Sequence, residues 1–467
     1  MQMAPGSCRA GHQVWTRNRT MSVIHQQAMN YVYQQVLTRL LGSLTPGQRA
    51  AVQLLIPRLI LASGGMQRLP EYKVMTVLEP GTACLTSLAL LRAAQLTLAA
   101  RNQPTFRIRV VICSQAGLDQ ASLGNIQRCC NALFVHDDPR IELLLLDEER
   151  ITTCDPGDIC AAAVGVAVQR VELLMGVHVG QADLPQALLI HTYLALAHFY
   201  RRLLTWKGGA DAIIVDHSPL QRRRFIAWSL RALRSAGLAS PARSHWQAST
   251  CLRVFEGISR SLGRPLGGPP PGRTRYSGDP CIARFICMHD LIQEPSAPGS
   301  ALLAFLGCEC DEPIFSLGEI WYPQTVLLSH LHGLRAQHLD LAGYETGVEN
   351  YLRNVQGALL GRDVEQGRTK QRPALSGRAR AEAFVLANYG LAENQLTCLV
   401  FAPFVNQGAG LERYLRACYP GMLVAMPYLH RALQGASVPE QVLQWLRENT
   451  GLPLAALQNL YQTRGAS

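Results

Sequence analysis

Lysine is nearly absent: it occurs only at Lys73, Lys207 and Lys370, so the basic side of a formal net charge of +11 is almost all arginine. The arginines are spread along the chain, and Arg222-Arg223-Arg224 is the one tight triplet. A nucleic-acid-binding face needs clustering as well as charge, so no RNA or DNA partner is expected. Charged residues of both signs make up only 16% against 48% hydrophobic, which excludes a disordered chain and implies a packed core. Acidic residues are missing from the N-terminal region, none preceding Glu71. The first twenty residues are Arg-rich and unpatterned, a composition shared with transit peptides. The favoured reading is a disordered extension over 1–20, with Met21 as the start. Long apolar runs are lacking too. The longest, Ala187–Tyr200, is too short for a membrane span and carries His191 and His198. With no secretory apolar segment, neither membrane nor export is expected. Fourteen cysteines in 467 residues are too sparse for a disulfide scaffold. Most, such as Cys113, Cys129, Cys130 and Cys398, sit in apolar runs where Cys behaves as a small hydrophobe. A reducing, cytoplasmic and bacterial setting is the expectation.

What is present is periodicity. Over 21–65, Ile24, Met29, Val32, Val36 and Leu40 recur at helical spacing until Gly42-Ser43. Thr45-Pro46 then supplies a cap and a first-turn proline for a second helix, which Ser63-Gly64-Gly65 ends. From residue 73 the pattern changes to continuous apolar strands separated by helices. Strands are predicted at Val74–Leu78, Phe106–Cys113, Ile141–Leu146 and Ala210–Val215; helices fall at Leu85–Ala100, Leu123–Phe134 and Gln221–Ala236. Such uninterrupted strands belong in a parallel sheet covered on both faces. The predicted class is α/β: a mostly parallel, Rossmann-like sheet over 73–260, preceded by a helical pair. The Pro/Gly-rich stretch 261–280 reads as a linker. The remainder, 281–467, is predicted to be a mixed α/β region, with strands at Thr397–Val405 and Met422–Met426 among helices.

The junction Glu79-Pro80-Gly81-Thr82-Ala83-Cys84 joins the first strand to its helix. There, helix N–H groups face a strand's carboxyl end, and an anion is favoured. Asp216-His217-Ser218 leaves a later strand. Consecutive residues of an extended chain point alternately, so these three cannot form a nucleophile–base–orienter relay. They can still line a pocket, with His217 and Asp216 as candidate acid–base groups. Cysteines and acidic residues around Cys281, Cys287, His289 and Cys308 lack the spacing of a zinc site. His330 and His332, two apart on a predicted helix, face different sides and do not form a shared metal site. No metal cluster is expected.

Residues 73–236 resemble the PP-loop ATP pyrophosphatase superfamily, in which a strand, a Ser-Gly-Gly-x-Asp-Ser turn and an apolar helix bind ATP. Aligned by strand and helix, Gly81 is the strict match. Glu79 stands at the first Ser, Pro80 at the first Gly, Ala83 at the Asp and Cys84 at the final Ser. The resemblance implies ATP with Mg²⁺ as cofactor and places Glu79, Gly81, Thr82, Cys84, Ser114 and Ser218 around the nucleotide. The departures imply weakened phosphate chemistry: Pro80 removes a backbone donor, and Glu79 adds a negative charge. The functional expectation is a nucleotide-binding protein of a biosynthetic pathway, a catalytically degenerate relative acting on a small molecule or alongside a partner enzyme. A two-Rossmann-domain glycosyltransferase and a non-catalytic partner subunit are the alternatives.

Overall fold

The computed structural model describes residues 23–78, 82–113, 120–146, 151–154, 159, 173–175, 178, 203–204, 206–216, 226–227, 230, 284–292, 300–309, 322–360 and 377–462. Helices α1 (Val23–Ser43) and α2 (Pro46–Ser63) form the expected N-terminal pair. The Thr45 hydroxyl accepts from the Gln48 N–H at 3.2 Å, and the Gln48 side chain accepts from the Thr45 N–H at 3.0 Å. This reciprocal cap satisfies two donors at the start of α2. Gly64 ends the helix at φ 83°, a conformation that costs glycine nothing.

The chain then alternates through β1 (Lys73–Leu78), α3 (Thr82–Ala100), β2 (Arg107–Cys113), α4 (Gln120–Ala132) and β3 (Ile141–Leu146). Three further strands follow: β4 (Ile151–Thr153), β5 (Ala212–Val215) and β6 (Arg284–Cys287). They form one six-stranded sheet in the order β4-β3-β2-β1-β5-β6. All neighbours are parallel except the β3–β4 pair. The expectation of an α/β chain with a mostly parallel sheet therefore holds. Two strands go beyond it. β4 has only three residues, and β6 lies past the Pro/Gly-rich stretch yet pairs with β5. The sheet thus draws on both sides of 261–280, the segment read as a linker between regions. The residues 1–22, 217–225 and 231–283, which include several predicted features, lie outside the described set.

One face of the sheet carries Val74, Leu78, Ile108, Val110, Ile112, Ala212, Ile214 and Ile286, and these join residues of α2, α3 and α4 in one apolar cluster. Helix α3 is the centre of that layer, with every residue from Cys84 to Leu98 buried. It is the one described helix long and apolar enough to cross a membrane, and 83% of that apolar window is buried inside the fold. It is a core helix here. The opposite face holds Arg109, whose guanidinium donates to Glu142 at 2.8 Å and to the Gly209 carbonyl, and lies over the Trp206 ring. These contacts hold the turn that enters β5. At the same end of the sheet the Lys73 N–H donates to Asp211 at 2.7 Å, which ties the start of β1 to that turn.

The most demanding packing lies at the back of α3. Arg92 is fully buried and donates to Asp138 at 2.7 Å, to Gln95 at 2.6 Å and to the Leu133 carbonyl at 3.1 Å. Asp138 also accepts from Arg140 at 2.6 Å, and the Tyr33 ring of α1 stacks beneath both guanidinium groups. Burial alone would raise the Asp138 carboxyl. The hydrogen bonds and charges of Arg140 and Arg92 outweigh it and hold the group below the usual carboxylate range.

Among the described residues after β6, the two strands expected there are not found. Residues 393–401 and 426–433 are helices, and 420–425 is a 3-10 turn, where the sequence predicts strands at Thr397–Val405 and Met422–Met426. Short apolar runs look alike as buried strand or buried helix, and tertiary packing arbitrates. Here the Gln395 side chain accepts from the Ala392 N–H at 3.2 Å, capping the helix start. No strand occurs among the described residues from 322 onward. The helices Tyr322–His338 and Tyr344–Leu360 pack closely because both present glycine. A Cβ on Gly347 would stand 2.6 Å from the Ala336 Cβ, and one on Gly333 would enter the Tyr344 ring. The surrounding helices share a second apolar cluster, which also takes in Leu173, Leu174 and Met175.

In this region His330 lies 2.6 Å from the Tyr344 hydroxyl and His332 stacks on Tyr351, so both histidines meet the helix Tyr344–Leu360. His178 packs edge-on to Phe404. Burial pushes His178 down to about 4, and burial also dominates at His330, likewise at about 4.

Two outcomes follow from this packing. Asp138→Ala strands a buried guanidinium, and the loss should be about 3–5 kcal/mol in urea unfolding. The double change Arg92→Met with Asp138→Leu should recover part of it; full additivity of the two losses would contradict a coupled pair. The neutral rings of His178 and His330 favour the folded state at neutral pH, and this contribution is lost as pH falls from about 6.5 towards about 4. The unfolding temperature should therefore drop on acidification through that window, and His178→Leu should flatten the decline. An identical decline in wild type and variant would remove His178 as its source.

Candidate functional site

The sheet order reverses direction between β1 and β5. The chain runs outward from β1 through β2 and β3, then returns to the other side of β1 for β5 and β6. Adjacent strands whose connections leave in opposite directions open a crevice at their carboxyl ends. That rule places the candidate site between the end of β1, the start of α3 and the residue that follows β5.

That residue is Asp216. Along β5, Ala212 and Ile214 point to the α3 face and side chains alternate, so Asp216 continues on the same face. The register Thr76↔Ile214 brings it level with Leu78. The geometry is consistent with its contact: Ser87 of α3 donates a hydrogen bond to Asp216 Oδ1. Ser87 is buried, one and a half turns into the helix. The bond therefore clasps the tail of β5 to the helix that follows β1. Burial pushes the Asp216 carboxyl up to about 7, and the Ser87 bond pulls weakly the other way. A carboxyl raised this far can accept a hydrogen bond, donate one, or exchange a proton near neutral pH.

The other predicted site residues divide into two groups. Thr82 opens α3 with partial exposure, at the place expected of a ligand-facing turn. Cys84 is buried in the apolar cluster rather than facing the turn. Glu79, Gly81, Ser114, His217 and Ser218 lie outside the described residues. Ser87 is a site residue that the sequence reading misses. Its signal is nonetheless present: in an otherwise apolar helix, Thr86, Ser87, Arg92, Gln95 and Thr97 are polar and yet buried, and buried polar groups need partners. Arg92 and Gln95 find theirs at Asp138 and at the Phe106 carbonyl, and Ser87 finds its own at Asp216.

Of the cysteine-rich elements, Cys287 ends β6 in a buried position and Cys308 is half-buried beyond the helix Ala301–Phe305. Among the described residues no group of three His, Cys, Asp or Glu side chains is placed to hold a metal ion.

Compared with known proteins, the chain matches no family model, no curated protein and no solved structure.

The Asp216 geometry has a direct consequence for stability. Its folded-state value lies above the ordinary 3.8, so its contribution to stability is complete below that value and is lost as pH rises through about 7. Asp216→Asn should accordingly raise the unfolding temperature relative to wild type at pH 8 by more than at pH 5. Equal shifts at both values would mean that the carboxyl titrates as it does in the unfolded chain.

Proposed function

We propose that the chain is a nucleotide-binding protein, with ATP as its magnesium complex in the crevice outside the carboxyl ends of β1 and β5. One observation carries the reading, the reversal of strand order at β1. Counted among themselves, the parallel strands run third, second, first, fourth, fifth, the order of doubly wound Rossmann-like sheets, in which ligands occupy the crevice at the reversal. The start of α3 points the positive end of a helix dipole there, which favours phosphate oxygens. The replaced residues of the turn speak against pyrophosphate cleavage and weaken its hold on phosphate. Pro80 has no N–H to offer, and Glu79 and Ala83 stand where the resembled superfamily has Ser and Asp.

The two-domain glycosyltransferase loses support, because such an enzyme needs a second sheet and the described residues from 322 to 462 are helical wherever they are regular. A non-catalytic partner subunit remains compatible with nucleotide binding and with the altered turn.

Thermal unfolding separates these readings. ATP with Mg²⁺ should raise the unfolding temperature, and Gly81→Glu should abolish the rise by placing a charged side chain in the turn. A rise that survives Gly81→Glu would move the nucleotide away from this crevice. A rise with a UDP-sugar alone would favour the transferase, and no rise with either would leave the partner-subunit reading ahead.

A further inference from the structure

Helix α2 turns Gln48, Ala51, Val52, Leu55, Ile56 and Leu59 into the fold. Its opposite side carries Gly47, Ala50, Leu54, Pro57, Arg58 and Leu61, and all six are exposed. Leu54 is 54% exposed and Leu61 79%, where the outer face of a packed helix ordinarily carries polar side chains. Gly47, Ala50, Leu54, Pro57 and Leu61 follow one another in alternating steps of three and four. That is the spacing of a seam that receives one other helix, with Leu54 and Leu61 as knobs a heptad apart. A Cβ on Gly47 would meet nothing within 4 Å, so the seam is open at its first turn.

The charge around this seam has one sign. On the helical wheel Arg58 borders it on one side, and Gln53 and Arg49 border it on the other. Arg68 stands at the end of the helix, its Cδ 3.6 Å from the place of a Cβ on Gly64. Arg49, Arg58 and Arg68 are all exposed. No Asp or Glu precedes Glu71 in the chain, so α1, α2 and their connection contribute positive side chains alone.

We propose that the outer face of α2 docks an amphipathic helix of another protein, one that carries leucine-type residues on its apolar stripe and Asp or Glu beside it. The stripe covers Leu54 and Leu61, and the flanking carboxylates face Arg49 and Arg58. A second copy of this chain joined through the same face would set arginine against arginine. A lipid surface suits the seam less well, because α2 has no Trp, Tyr or Phe to anchor it at a bilayer interface. This surface is separate from the proposed nucleotide crevice and does not depend on it. It gives a chain that works beside a partner enzyme a place to hold that partner.

The test is fluorescence anisotropy on the full chain with two labelled peptides of about four heptads, long enough to form a helix on binding. Both keep leucine at the seam positions; one carries Glu at every flanking position and the other Lys. The Glu peptide should bind at least about tenfold more tightly than the Lys peptide, and added salt should narrow the difference. Leu54→Glu with Leu61→Glu should abolish binding and leave the unfolding temperature unchanged, since both positions are exposed. Arg49→Glu with Arg58→Glu should reverse the preference and make the Lys peptide the tighter ligand. Failure of the Glu peptide to bind, indifference to peptide charge, or binding that survives the double leucine change would overturn the proposal. Cosedimentation with phosphatidylserine vesicles that the leucine change removes, without peptide binding, would put a lipid surface in its place. A concentration-dependent dimer that the same change dissolves would put a second copy there.

Discussion

Everything in the sheet region depends on the burial of α3, and the Arg92–Asp138 pair is the constraint that makes it possible. A helix enclosed from Cys84 to Leu98 has no solvent-facing side on which to place a charged residue. Arg92 is tolerated because every direction of its guanidinium meets an acceptor: Asp138, Gln95 and the carbonyls of Leu133 and Phe134. Those acceptors lie in the turn between α4 and β3 and on α3 itself, and Tyr33 reaches in from α1. One ionic cluster thus fixes the helical pair, the core helix and the approach to β3 against one another. A buried ion pair adds little net stability over an apolar packing, but breaking it is expensive, so it enforces one arrangement.

With α3 held in place, the carboxyl ends of β1 and β5 acquire a defined wall. Ser87 projects from the second turn of the helix towards Asp216, and their bond ties α3 to the tail of β5, where the sheet reverses. The same burial that stabilises the core leaves Asp216 without a charged partner among the described residues and pushes its titration to about 7. Core and site are therefore coupled physically: the features that make α3 a good core helix set the electrostatic character of the crevice at its start. The C-terminal helices have a different logic. There, two glycine-bearing helices approach closely, and neutral buried histidines accompany the Arg378–Glu393 ion pair.

Much of the first half of the fold is legible in the amino-acid sequence. β1, β2 and β3 are readable because strands buried on both faces carry unbroken Val, Ile and Leu runs. The Thr45-Pro46 cap is readable because its side-chain chemistry is local to four residues. β6 is not legible: four residues, Arg284–Cys287, carry too little pattern to separate from a loop, and only pairing with β5 makes them a strand. The strands expected at Thr397–Val405 and Met422–Met426 fail for the converse reason. Their apolar runs are short, and what decides between helix and strand is the neighbour against which the run packs.

The candidate site divides in the same way. Asp216 can be placed at a strand's carboxyl end from sequence, since alternation and a run of four buried residues precede it. Its partner Ser87 lies 129 positions away along the chain, and no local pattern connects them. The class of fold, the position of the first strand–helix turn and the chemistry that turn lacks are all written in short-range periodicity and residue identity, so the chain's sequence is enough to specify them. The strand order, the Ser87–Asp216 clasp and the helical character of the C-terminal region are settled only in three dimensions, because each depends on burial and pairing between distant segments.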